Sequence, residues 1–134
     1  MNTITFAAME KKIIRTDNAP APIGPYSQAV QFGNMLFISG QIAIDPKTGN
    51  LVQEDIKTET HQVMKNLQAI LKEAGMDFGN AIKTTIFLMD MGQFAQVNEV
   101  YGSYLGEGAP ARETVQVSGL PKGVKVEISM VAGK

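Results

Sequence analysis

The chain has 134 residues, 44% apolar and 19% charged, with a net charge of −1; that length makes one domain with room for a normal core, and the charge argues against nucleic acid or an anionic membrane surface as a partner. There is no cysteine and one histidine, His61, which excludes disulfides, thiolate metal ligands, a cysteine nucleophile and multi-histidine metal sites. No apolar run approaches the ~20 residues that span a bilayer.

Residues 1–9 lack the charged start and long apolar centre of a secretory signal. They read as a flexible N-terminal extension of a cytoplasmic protein whose domain spans 10–134. Residues 12–16 read as a short strand. Residues 17–27 carry Pro20, Pro22 and Pro25, which stiffen an extended loop ending at Tyr26. That tyrosine either packs on the core or is aimed at a pocket.

Residues 29–32 and 35–42 alternate around Gly33-Asn34 and predict a β-hairpin. Ser39-Gly40 falls near the end of the second strand, where glycine marks a bulge or a close approach by a ligand or another chain. Over residues 55–74 the period becomes helical, with Ile56, Thr60, Val63, Met64, Leu67, Ile70 and Leu71 on one stripe and Gly75 as a stop. His61 lies off that stripe beside Lys57 and Lys65, as a solvated surface residue. Residues 81–89 read as a largely buried strand. Residues 93–105 read as a second amphipathic helix, with Asn98 inside its apolar stripe, where the amide either caps a loop or reaches a pocket.

Residues 110–127 read as two strands joined by a turn at Pro121-Lys122. Arg112 shares the parity of Thr114 and Gln116, and Glu127 shares that of Lys125, so both leave the non-core face of one sheet. The element order predicts an α+β domain, a mixed β-sheet with both helices packed on one face. The other face carries too many β-branched and small residues to suit water everywhere and points to self-association.

Arg112 is one of two arginines in the chain. Its planar fork suits a bidentate grip on a carboxylate, or a structural ion pair with Glu127 or Glu113. Glu127, if partly buried, suits acid–base work. A tight hairpin would set Glu127 opposite Gln116, several residues from Arg112, so a site using both is elongated or borrows from another chain. A nucleophilic triad is poorly served by a single histidine on a polar helix face, and no phosphate-cradling glycine loop precedes a helix.

Three separated motifs stand in order. They are Ile23-Gly24-Pro25-Tyr26-Ser27-Gln28; Ser39-Gly40-Gln41; and Pro110-Ala111-Arg112 with Val115, Leu120-Pro121, Gly123, Val126 and Glu127. Together they resemble the RidA/YjgF family of reactive-intermediate deaminases over about residues 11–132. The resemblance implies a chorismate-mutase-like fold and a homotrimer around a barrel of sheets, with sites between subunits. It implies hydrolysis of 2-iminobutanoate and 2-iminopropanoate, released by pyridoxal-phosphate dehydratases, to 2-keto acids and ammonia, with no metal and no cofactor. Arg112 would bind the carboxylate and Glu127 would serve the attacking water. Tyr26, Ser39, Gly40 and Asn98 would line the cleft. Thr114 stands where many members carry cysteine and would contact ligand through its backbone. Members are also described as ribonucleases or translation inhibitors, and a non-catalytic trimer binding a small carboxylate is a third reading.

Overall fold

The computed structural model describes residues 9–134; apart from Met9, the extension expected at residues 1–9 lies outside the described residues. Strands β1 (Lys11–Ile14), β2 (Ala29–Phe32) and β3 (Met35–Gln41) lead into helix α1 (Ile56–Glu73). Then come β4 (Ala81–Leu88), α2 (Phe94–Ser103), β5 (Ala111–Gln116) and β6 (Val126–Gly133). The six strands make one sheet in the order β1-β2-β3-β6-β4-β5. The β4–β5 pair is parallel and the other neighbours are antiparallel, which makes the sheet mixed.

Helix α1 starts where the Asp55 carboxylate accepts the Thr58 N–H at 2.7 Å, satisfying an amide that lacks an intrahelical partner. Its stripe of Ile56, Val63, Met64, Leu67, Ile70 and Leu71 is buried. On the sheet, β6 alternates: Val126, Ile128, Met130 and Ala132 are buried and the residues between them are not. The core lies between these surfaces, with both helices on one sheet face. Each Leu or Ile fully withdrawn from water there contributes about 1.5–3 kcal/mol. Buried amides are paired: Asn66 donates to the carbonyls of Ile42 and Ile44, both at 3.0 Å. Among the described residues no helix is long and apolar enough to cross a membrane.

The expected hairpin at residues 110–127 does not form. β5 lies at the sheet edge beside β4, and β6 inserts between β3 and β4. The connection passes the end of β4, where Val117 N–H donates to Leu88 O and Met89 N–H to Lys125 O, then turns through Pro121–Gly123. Period-two alternation reports which face a strand shows but is silent about its neighbour. β4, with Ile86 and Leu88 buried, takes a partner on each side. The second helix follows a 3-10 turn at Met91–Gln93 and runs Phe94–Ser103, within two residues of the expected span at each end.

The face away from the helices carries an apolar row. Ile13 neighbours Val30, Val30 neighbours Phe37, and Phe37 neighbours Val131. Ile13 is 52% exposed and Phe37 48%.

Candidate active site

Arg112 stands beside Thr84, and Thr84 continues across the sheet to Met130 and Ile38. That row is buried against the helices, so Arg112 ends it on the helix-bearing face, not on the open face its parity suggested. An edge strand explains the difference: its helix-side positions lie beyond the core, and a polar residue there still reaches water. The guanidinium is fixed all the same. Arg112 Nη1 donates to Asn98 Oδ1 at 2.6 Å, and Cζ lies 5.4 Å from the Phe94 ring centroid and 5.2 Å from that of Tyr101. Cation–π contacts of this kind contribute about 0.5–1 kcal/mol at exposed sites. Beneath, the Tyr101 and Thr84 hydroxyls bond at 2.7 Å.

Asn98 is exposed, outside the buried stripe of Val97, Val100 and Tyr101 where it was expected. It orients the arginine. Among the described residues Arg112 pairs with no carboxylate, because Glu113 bonds Lys83 and Thr85 instead. Thr114, two residues along β5, carries a buried hydroxyl with no hydrogen-bond partner.

Glu127 sits elsewhere. It pairs with Phe87, and Val115 lies on the far side of Phe87, so the expected partner Gln116 is displaced by a whole strand. Glu127 alternates with buried Val126 and Ile128 and therefore faces away from the helices. Burial pushes its carboxyl above the ordinary value of 4.5. It lies against Gly40, where β3 breaks register between Ile38 and Gln41. Together with Pro20, Ile23, Tyr26 and Pro121 these residues wall a small pocket. Tyr26 is exposed rather than packed on the core, and its hydroxyl accepts the Ile23 N–H at 3.2 Å, which braces the proline loop. The Ser39 hydroxyl donates to Ser27 O at 2.6 Å, tying β3 to that loop, while its neighbour Gly40 forms the pocket wall.

The predicted residues thus fall into two clusters, Arg112 with Asn98 and Thr114, and Glu127 with Gly40 and Tyr26. By strand rise and spacing Arg112 and Glu127 are roughly 14 Å apart, on opposite faces. One chain does not bring them together. His61 belongs to neither cluster; it is exposed on α1, and its Nδ1 lies 2.9 Å from the Tyr104 hydroxyl.

Two supporting residues were given no role by the sequence. Gln28 is buried and holds the proline loop through Thr16, Ala19 and Pro20. Glu59 is buried where α1 meets the start of β6. Its signal was present: a carboxylate three residues after Ile56 and four before Val63 stands on the apolar stripe.

The fold and the motif-bearing strands define a class, and comparison with known proteins supplies its name. Residues 16–134 match the model of the Endoribonuclease L-PSP family, and the chain belongs to that family, the RidA/YjgF group its motifs resemble. A RutC family protein of Pyrococcus horikoshii is 56% identical, over 92% of this chain and 98% of that one. The 2-iminobutanoate/2-iminopropanoate deaminase of Mus musculus is 50% identical, over 91% and 90%. Among solved structures, E. coli TdcF with bound serine superposes with a TM-score of 0.88 at 43% identity, covering 92% of this chain and 98% of that chain.

Proposed function

We propose that this protein hydrolyses small 2-imino acids, of the 2-iminobutanoate and 2-iminopropanoate kind, to 2-keto acids and ammonia. The observation that carries the reading is Arg112: a guanidinium fixed by Asn98 and two aromatic rings, with no carboxylate partner among the described residues. Its free fork suits a substrate carboxylate. The mouse relative's name and the serine bound to TdcF support a small amino-acid-like ligand.

The chemistry asks for little. Water adds to the electrophilic imine carbon to give a carbinolamine, its nitrogen takes up a proton, and the C–N bond breaks as the hydroxyl gives up its proton, leaving the keto acid and ammonia. A group that holds its proton near neutrality serves that exchange, and burial moves Glu127 in that direction. Because Arg112 and Glu127 face opposite ways, the site takes Arg112 from one copy and Glu127, Gly40 and Tyr26 from the next. The apolar row through Ile13 and Phe37 is the surface on which copies assemble, as a homotrimer.

The test is complementation. Arg112→Ala and Glu127→Gln should each abolish hydrolysis of 2-iminobutanoate generated in situ by a threonine dehydratase. Refolded together in equal amounts, they should regain roughly a quarter of the wild-type rate, the chance that neighbouring copies in a three-fold ring supply both intact residues. No recovery from folded mixed assemblies would sink the shared site. No turnover by wild type would sink the deaminase.

A further inference from the structure

Glu59 stands in the first turn of α1 with 1% of its surface exposed. A carboxylate survives in a core only when hydrogen bonds hold it. One oxygen, Oε2, accepts the backbone N–H of Lys125 at 2.8 Å and that of Val126 at 3.0 Å. Successive residues of an extended strand point their amides to opposite sides, so two adjacent amides meeting on one atom require the chain to bend. Lys125 is such a bend, immediately before β6. Its carbonyl accepts the Met89 N–H at 3.1 Å, beyond the end of β4. Helix α1, β4 and β6 thus join at one point, and the next residue along the chain is Glu127.

We infer that Glu59 is a positioning residue for Glu127: it clamps the bend at Lys125 and Val126, fixes where β6 begins, and so sets the Glu127 carboxylate against Gly40. Glu59 is not part of the pocket wall and acts through the backbone. An apolar side chain would fill the layer between helix and sheet equally well but would leave two amides without an acceptor. The kinetic consequence rests on the deaminase reading; the clamp itself does not.

The experiment follows kcat and KM for 2-iminobutanoate hydrolysis alongside amide hydrogen exchange at Lys125, Val126 and Glu127. Glu59→Gln keeps an acceptor oxygen, and should keep slow exchange and a kcat within about 2-fold of wild type. Glu59→Leu keeps the volume without the acceptor. It should speed exchange at Lys125 and Val126 and lower kcat about 10- to 100-fold with little change in KM, the scale of a catalytic group displaced by ~1 Å. Where Glu59→Leu does not fold, Glu59→Asp replaces it, one methylene short of the amides and with the same expected direction. Wild-type kcat in the folded Leu or Asp variant, or an equal loss in the Gln variant, overturns the inference. If wild type itself turns over no imine, the deaminase reading fails instead and exchange decides the clamp. Unchanged protection in the Leu or Asp variant then overturns it, and faster exchange sustains it.

Discussion

A Cβ on Gly40 would lie 2.8 Å from Cδ of Glu127 and 3.0 Å from its Cγ and Oε2. The carboxylate of β6 therefore lies against the bare backbone of β3, in space that no other residue type leaves open. Gly40 has no positive φ, so the need is for room and not for an unusual backbone.

That distinction separates activity from stability in Gly40→Ala. The atoms in the way, Cγ, Cδ and Oε2 of Glu127, belong to a flexible side chain that can swing aside. Alanine also gives up less backbone freedom on folding, an advantage of about 0.5–1 kcal/mol. The variant should melt within a few degrees of wild type, yet lose about 10-fold or more in kcat as Glu127 is displaced. Thermal melts beside steady-state rates check this; a large fall in melting temperature would mean that Gly40 serves the fold.

Arg112 should be more demanding than its exposure suggests. Arg112→Lys keeps the charge and loses the planar fork and its stacking on Phe94 and Tyr101. One charge-assisted hydrogen bond contributes about 1.5–3 kcal/mol, so KM should rise about 10- to 100-fold. Asn98→Ala frees the guanidinium from its 2.6 Å anchor and should raise KM in the same direction by less. Substrate saturation curves for both variants check the order, and equal KM values for Arg112→Lys and wild type would remove Arg112 from carboxylate binding.

The elements were legible because their signals are local. The helix stripe from Ile56 to Leu71 and the hairpin at Gly33-Asn34 can be read from spacing alone. Placement of β6 between β3 and β4 was not legible, because it depends on which long-range pairing buries β4 best. The error had a chemical consequence. Parity put Arg112 and Glu127 on one face, and the sheet order put them on opposite faces. Arg112 looked outward in sequence because its edge strand carries polar residues on both sides, so alternation there no longer marks the core. The roles of the buried Gln28 and Glu59 were hidden for another reason: each serves backbone groups outside its own element, 8 to 12 residues away for Gln28 and 66 and 67 residues away for Glu59.

Gln28 offers a test of that hidden layer. Its side chain accepts from Thr16 N–H at 2.8 Å and donates to the carbonyls of Thr16, Ala19 and Pro20 at 3.0, 3.2 and 2.9 Å. Gln28→Leu preserves bulk and removes all four. At about 1–3 kcal/mol for each buried group left unpaired, with loop carbonyls partly regaining water, the loss should be about 2–4 kcal/mol. Chemical denaturation measures it. Because Pro20 and Ala21 form part of the pocket wall, KM should rise as well, and a stable variant with unchanged KM would detach the proline loop from the site.

Keeping the Glu127 carboxyl half-buried has a cost in stability. Burial raises its carboxyl above 4.5, so the folded chain holds this proton more tightly than the unfolded chain does. Stability is then lost as pH rises from about 4.5 through the raised value, and not below that window. Glu127→Gln abolishes the titration. The variant should be more stable than wild type at about pH 7, and the gain should shrink toward zero near pH 4. Melting temperatures at the two pH values decide it, since an equal gain at both would assign the effect to packing rather than charge. The same raised value keeps a protonated fraction of Glu127 at higher pH, where it can serve the departing amine. A stabilised but inactive Glu127→Gln variant would show that the carboxylate is kept for chemistry against the preference of the fold.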